Sequence, residues 1–425
     1  MSHEHDTALD GEHIDISLRE YKSSGSLELS DRALRTLRTD VNTGGTERIR
    51  LSFDEDGRAQ LTATQYVGLV SLSENVTIEI RPKAAGTNLL HLLRYAQGVE
   101  STTIEQSTAM RTGSTFIDTL GFLFDAELQR VVDRGLYREY QQTSGTERYV
   151  RGRLDVQQQL QRHGTTPTAF ECTYDDHTYD TVTNRALLYA TTVLLRLVSD
   201  ASLRKSLRQK QQSLRRQVTL TPVRPVELEG IQLTRLNDYY ANALRLTRFI
   251  LQNLFIEDLQ QGSSSTFSLL VDMNRIFEKV IERALTEVVA EWDGWSVRSQ
   301  ETSRALITGG SKQVTIRPDL LLEDPSGEVR VVGDVKWKLG QPSNADFYQL
   351  SAYQLTYGAP GLLVYPEQDG SVDSVYTVDE QYPLRLLEVP TRADVGSFGA
   401  YIERIRGSIE REIRELVHDE SVDVR

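Results

Sequence analysis

The sequence predicts a multidomain α+β chain: a small N-terminal β-rich domain, a helix-rich middle region and a C-terminal α/β domain. Three observations predict it. Short alternating apolar–polar runs fill residues 14–85. Apolar residues recur at helical spacing through much of 110–260. From 265 onward the order is helix, hairpin, helix, strand, helix. A chain of 425 residues can hold two or three domains with cores of their own. The expected divisions are a disordered tail at 1–13, a β-rich domain at 14–98, a helical region at 110–260 and an α/β domain at 265–425.

The elements follow in order. The tail carries His3, His5 and His13, which read as a flexible polar tail rather than a metal site. IDISLREY alternates from Ile14. LSDRALRTLRTD is a short helical piece. RIRLSF and RAQLTA flank the turn Asp54–Gly57 as a hairpin. YVGLVSLSENVTIEIRPK adds two strands, and Asn88–Ala96 is a short amphipathic helix. Met110–Thr115 reads as a linker. Phe116–Arg134 is helical, with Gly135 as its C-terminal cap. GLYREY and ERYVRGRLDV are strand-like, a polar helix falls near 155–162, and Thr168–Asp180 is extended. Asn184–Val198, Ala201–Val218 and Leu236–Ile256 are helices. Gln260–Thr266 is a polar Gly/Ser-rich break, placed as a domain boundary. Phe267–Trp292 reads as one long helix with a three–four apolar rhythm. A strand at Trp295–Glu301, the central hairpin, a helix at Ala345–Tyr357, a strand at Gly361–Tyr365, weaker strands at Ser371–Thr377 and Arg385–Val389, and a helix at Ser397–Leu416 complete the chain.

Composition bounds the function. Cys172 is the single cysteine, so an internal disulfide and a cysteine zinc site are excluded. Cys172 reads as a small core residue. No run approaches the length of a membrane span, the N-terminus is unlike a signal peptide, and a cytoplasmic location is expected. The net charge is −13, with only 8 lysines beside 40 arginines. Few lysines with excess acid is the expectation for a halophilic chain. The charge is uneven: residues 181–250 carry a net +8, leaving −21 for the rest. The helix from Ala201 holds Arg204, Lys205, Arg208, Lys210, Arg215 and Arg216 and no acid. It reads as a DNA-binding or partner-docking face. Arg81 and Lys83 are candidates for partner binding. His91, His163 and His177 lack a nucleophile motif nearby. Gly309-Gly310-Ser311-Lys312 is not a phosphate-binding loop, so no nucleotide is expected on this chain.

Chemistry concentrates in VTIRPDLLLEDPSGEVRVVGDVKWK, residues 314–338. Asp324-Pro325-Ser326-Gly327 is a turn signal between two strands. If the hairpin folds about Pro325-Ser326, Asp319 lies opposite Val332 and diagonal to Asp334. Alternation puts Asp334 and Lys336 on one face. Charges within such apolar strands are costly unless paired or metal-bound. Two hard carboxylates at this spacing suit Mg²⁺. Upstream, Glu278 lies beside a helical apolar stripe. Downstream, Gln349 and Tyr353 lie one turn apart.

The constellation Glu278, Pro318-Asp319, Asp334-Val335-Lys336 and Gln349-Leu350-Ser351-Ala352-Tyr353 resembles the PD-(D/E)xK nucleases, in the Q-xxx-Y variant of RecB-like enzymes. With IEIRPK, YVRGRLD, FECTYDDHTYDTVTNRALL and DMNRIFEKVIE ahead of it, the chain resembles the McrC family over about 14–415. The resemblance implies a restriction-endonuclease-like fold for the C-terminal domain. It implies metal ligands at Asp319, Asp334, the Val335 carbonyl and Glu278, with Mg²⁺ as cofactor and Mn²⁺ as a substitute. It makes Lys336 the catalytic lysine and Gln349 and Tyr353 its supporting pair. It implies a DNA endonuclease subunit of a modification-dependent restriction system. The implied partners are double-stranded DNA and an AAA+ GTPase of McrB type, whose GTP hydrolysis it stimulates. Two other readings stand beside it: a non-catalytic activator of an AAA+ motor, and a stand-alone RecB-like repair nuclease.

Overall fold

The computed structural model describes residues 14–73, 75–83, 86–99, 115–163, 168–257, 266–299, 304–309, 311, 313–368, 370, 374–391 and 397–418. The tail 1–13 with its three histidines, most of both linkers, and the boundary expected between 260 and 265 lie outside the described residues. Contacts divide the chain into two compact units rather than three successive segments. One comprises 1–120 with 255–425; the other is Gly121–Leu254.

The first unit begins with strand β1 (Ile14–Arg19). Helix α1 (Asp31–Thr36) follows, capped by the Ser30 hydroxyl, and continues as a π turn over Leu37–Val41. Strands β2 (Ile49–Phe53) and β3 (Ala59–Ala63) form the expected hairpin, closed by Gly57 N–H on the Asp54 carbonyl at 3.1 Å. Strands β4 (Tyr66–Ser73) and β5 (Val76–Arg81) pair antiparallel, and β1 lies parallel to β5. Helix α2 (Gly86–Ala96) comes next, and helix α3 (Phe116–Arg134) leads into the second unit.

The second unit pairs β6 (Glu139–Glu147) and β7 (Arg153–Leu154) with the central β8 (Phe170–Thr178). Helix α4 (Val156–Arg162) sits between β7 and β8 in sequence. The strand-like readings at 135–140 and 147–156 are corrected here. The long strand lies mainly between them, because β8 offers a partner to every residue of β6. Helices α5 (Val182–Leu197), α6 (Ala201–Arg215), α7 (Pro225–Glu229) and α8 (Ala241–Gln252) complete the unit. Buried Asn184 ties it together. Its amide donates to the carbonyls of Tyr137 and Tyr179, and its oxygen accepts from the Tyr240 hydroxyl at 2.9 Å. Cys172 is buried, as its reading as a core residue expected.

Two further corrections concern strands read as helix. The helix expected to run to Ile256 ends at Gln252, and strand β9 (Leu254–Glu257) follows. The helix expected from Phe267 begins only at Met273, because Thr266–Asp272 is strand β10. β9 and β10 complete an N-terminal sheet in the order β1-β5-β4-β10-β9. Tertiary pairing decides the matter. β4 offers β10 a free edge, and Gly68 lets the backbones meet: a Cβ there would lie 1.9 Å from the Leu269 carbonyl oxygen. Ile16, Leu18, Val70, Ile78, Ile80 and Leu270 share one buried core beneath this sheet.

Asp272 then caps helix α9 (Met273–Val289) through the Asn274 N–H. A second sheet holds β11 (Ser296–Ser299), β14 (Leu320–Glu323), β15 (Val329–Val335), β16 (Gly361–Pro366), β17 (Val375–Val378) and β18 (Tyr382–Val389). Its order is β11-β14-β15-β16-β18-β17. Between β11 and β14, β12 (Arg304–Ile307) and β13 (Val314–Ile316) pair with each other. Helix α10 (Asn344–Tyr357) crosses from β15 to the parallel β16. The terminal helix α11 (Phe398–His418) packs on α9 and β18. Alternation along β15 sets the two faces. Val332 joins Leu350 and Tyr353 of α10 in one core. Residues of the opposite parity face α9.

Candidate active site

The central hairpin forms, in a register that differs from the expected one. The Asp324–Gly327 turn closes through Asp324 N–H on the Glu328 carbonyl at 3.0 Å. Glu323 then faces Val329, but Leu322 faces Val331. One residue, Arg330, is taken up in a bulge. Leu320 consequently faces Gly333, so Asp319, the residue just before β14, comes beside Asp334 and Val335 rather than opposite Val332. The two acids lie close enough that the Asp319 charge bears on the titration of Asp334.

Each carboxyl is held by its neighbours. Asp319 is half-buried and its Oδ2 accepts the Val335 N–H at 2.8 Å. Asp334 is fully buried, at 0% exposure. The Lys336 ammonium donates to Asp334 Oδ1 at 3.0 Å and lies 2.8 Å from Oδ2, without hydrogen-bond alignment to the second oxygen. Burial raises the Asp319 pKa, against the pull of the Val335 N–H and the Lys336 charge. Asp334 is pushed up to about 7, first by burial; Lys336 opposes the rise and the Asp319 charge adds to it. Burial works to lower Lys336, but the two carboxylates outweigh it and hold the ammonium above its usual pKa.

Helix α10 supplies the supporting pair. Its N-terminus is fixed by a capping box between Ser343 and Asp346, and Lys338 forms an ion pair with Asp346. The Tyr365 hydroxyl adds a bond to Asp346 at 2.8 Å. The helix ends at Gly358, which adopts the left-handed conformation. Lys336 donates to Gln349 Oε1 at 3.3 Å. The Gln349 amide donates to the Tyr353 hydroxyl at 2.6 Å, and that hydroxyl donates to the Arg317 carbonyl at 3.3 Å. The chain of bonds runs from the lysine back to the connection between β13 and β14 that carries Asp319.

Glu278 does not join the pair. It is half-buried on α9, at the shoulder of a stripe formed by Met273, Ile276, Phe277, Val280 and Ile281. Among the described residues no three His, Cys, Asp or Glu side chains come together as a metal cage.

On α6, five of the six basic residues are exposed: Arg204, Lys205, Arg208, Arg215 and Arg216. Lys210 is the correction. It falls on the stripe of Leu203, Leu207 and Leu214, is buried, and forms an ion pair with Asp125 at 2.7 Å. Of the two residues read as partner-facing, Arg81 is exposed and bonded to Glu79. Lys83 turns inward instead, donating to the Trp337 carbonyl at 2.9 Å.

That contact belongs to a buried cluster the sequence did not indicate. Trp337, 1% exposed, donates its indole N–H to Glu20 Oε1 at 2.8 Å. Glu20 Oε2 accepts the Lys83 backbone N–H at 2.8 Å. Burial pushes Glu20 up to about 7 from its ordinary 4.5, against the pull of Lys83 and of the two hydrogen bonds. The folded state thus retains a proton that the unfolded chain releases between these values, and stability falls as pH rises from about 4.5 to about 7. Glu20→Gln removes that fall. Across the window its melting temperature gains on wild type, then runs parallel above it; a constant difference throughout would contradict the assignment.

Fold and site together define an α/β protein whose acid–lysine centre is built across a strand–helix–strand core. The family described as McrBC 5-methylcytosine restriction system component matches residues 61–366, and the chain belongs to that family. It is 22% identical over 329 residues to the type IV methyl-directed restriction enzyme EcoKMcrBC of Escherichia coli strain K12, covering 69% of this chain and 88% of that protein. Among solved structures it is similar to a chain of the refined half-complex from a tetradecameric assembly of Thermococcus gammatolerans McrB AAA+ hexamers with bound McrC. That match has a TM-score of 0.63 at 18% identity and covers 95% of this chain and all of that one. A chain of the cryo-EM Thermococcus gammatolerans McrBC complex matches with a TM-score of 0.46 at 21% identity, over 66% of this chain and 89% of that one. The first of these is a likeness of fold. No described helix is long and apolar enough to cross a membrane.

Proposed function

We propose that the chain is the Mg²⁺-dependent DNA endonuclease subunit of a modification-dependent restriction system, working with an AAA+ GTPase of McrB type on double-stranded DNA. The observation that carries the reading is Asp319 beside Asp334, with the Lys336 ammonium held between Asp334 and Gln349. Family membership supports the restriction setting, and the similarity to a chain from a McrB–McrC assembly supports the partner.

The donor set fits a small hard cation. Two carboxylates and the Val335 carbonyl would hold Mg²⁺ or Mn²⁺, with waters and phosphate oxygens completing the shell. The raised pKa of both acids supports the same point: a divalent charge is what would ionise them together. The cation, when bound, supplies positive charge to the scissile phosphate and lowers the pKa of the attacking water.

The chain's own residues do the rest. The Val335 N–H fixes the Asp319 carboxylate. Lys336 stays protonated and presents its charge to the developing negative charge on the phosphate. Gln349 restrains the ammonium, and Tyr353 restrains Gln349. Exposed Arg204, Lys205, Arg208, Arg215 and Arg216 provide phosphate contacts along the duplex.

A test without catalysis follows from linkage. At about tenfold to hundredfold excess over its dissociation constant, Mn²⁺ should stabilise the wild type by roughly 1.4–2.7 kcal/mol, a shift of a few degrees in melting temperature. Asp334→Asn should lose that shift. Equal shifts in both proteins would place the cation elsewhere.

A further inference from the structure

Lys336 is fixed on one side by the site itself. Its backbone N–H bonds to the Val364 carbonyl at 2.9 Å, and its ammonium reaches Asp334 and Gln349. The residue on its other side is Trp337, and the N-terminal sheet holds it. The Trp337 carbonyl accepts two bonds, from the Lys83 ammonium at 2.9 Å and the Tyr21 hydroxyl at 3.1 Å. Its indole N–H is taken by Glu20, and its ring packs on Phe277 of α9 with centroids 5.1 Å apart. The Lys83 ammonium also lies over the Tyr21 and Trp337 rings, 4.6 and 5.1 Å from their centroids.

The backbone at Tyr21 gives an independent sign. Tyr21 follows β1 and Glu20 with φ at 59°. A bulky side chain in the left-handed region costs of order 1–3 kcal/mol and persists only where the surroundings impose it. Here the strained turn delivers the phenol hydroxyl to the Trp337 carbonyl. Glu20 and Lys83 sit at equivalent ends of the parallel strands β1 and β5, where Glu20 N–H bonds to the Arg81 carbonyl at 3.1 Å. Both strand ends therefore converge on one residue, Trp337, 254–317 residues away in sequence.

We infer that Tyr21, Lys83 and Glu20 are positioning residues for Lys336, so that the N-terminal sheet is a working part of the nuclease centre. They act by fixing the Trp337 carbonyl and indole, which sets where the adjacent lysine projects. This rests on the nuclease reading above. It also gives Lys83 an internal task in place of a partner contact.

The test uses the full chain with its AAA+ partner, GTP and methylated duplex DNA. Tyr21→Phe removes one donor to the carbonyl, Lys83→Met the other, and the double variant both. The double variant should lower the single-turnover cleavage rate about tenfold, a modest form of the loss that follows small misplacements of catalytic groups. The DNA concentration for half-maximal rate should stay within about twofold of wild type. Lys83→Arg, which keeps a cationic donor, should recover part of the rate. A loss confined to DNA affinity would make Lys83 a DNA contact and overturn the inference, as would a wild-type rate in the double variant. Tyr21→Phe alone removes only a hydroxyl, so an intermediate loss in that variant is expected even if the double variant unfolds, and a wild-type rate counts against the inference. Lys336→Ala run alongside separates the two claims. If it cleaves normally, the nuclease reading fails; if it is inactive while the double variant is normal, only the positioning role fails.

Discussion

Asp334→Ala should abolish cleavage of methylated duplex DNA, by a factor on the order of 10³ or more, while stimulation of the partner's GTP hydrolysis stays near wild type. The magnitude follows from what Asp334 touches. It is a fully buried carboxylate beside Asp319 and paired with Lys336, so its removal would take away the proposed cation ligand and the lysine's counter-charge together. The GTPase readout separates chemistry from assembly. Asp334 is enclosed within the C-terminal sheet, where it cannot be a docking contact. Single-turnover cleavage and GTP turnover in one reaction mixture check both halves. Cleavage and stimulation lost in equal measure would indicate a collapsed domain, and Asp334→Asn, which keeps the shape, guards against that. Unaltered cleavage would remove Asp334 from the site.

Lys336→Ala should lower the single-turnover rate by roughly 10²–10³ with little change in DNA affinity, since in the proposed mechanism its charge acts on the reacting phosphate. Lys336→Arg should not restore it. The ammonium occupies a short gap between Asp334 at 2.8 Å and Gln349 at 3.3 Å. A guanidinium is longer, planar and forked, and cannot take that position without displacing Gln349 from Tyr353. An active arginine variant would show that any cation in the vicinity suffices, and would make the Gln349–Tyr353 support irrelevant.

Much of this centre was legible in the sequence because its geometry is local. Alternation along VRVVGDVKW places Asp334 and Lys336 on one face, and helical spacing places Gln349 and Tyr353 on one side of α10. The structure joins them in a single chain of bonds. The hairpin register was not legible, because no residue type marks the bulge at Arg330 that shifts the pairing of β14 with β15. Strand β10 was hidden for a related reason. Leu269, Leu270 and Met273 satisfy a helical period as well as a strand, and only the open edge of β4 beside Gly68 decides between them. Lys210 reads as one more charge in a basic helix until its place on the Leu203–Leu207–Leu214 stripe is seen. The Glu20–Lys83–Trp337 cluster left no local signal at all, since its members meet across 254–317 residues of chain.

If Asp319 and Asp334 hold one divalent cation beside Lys336, anomalous diffraction from crystals of the chain grown with Mn²⁺ should show a peak between the two carboxylates, within bonding distance of the Val335 carbonyl. The peak should disappear in Asp334→Asn. A peak elsewhere, or none at Mn²⁺ concentrations that sustain cleavage, would show that these two acids do not hold the cation.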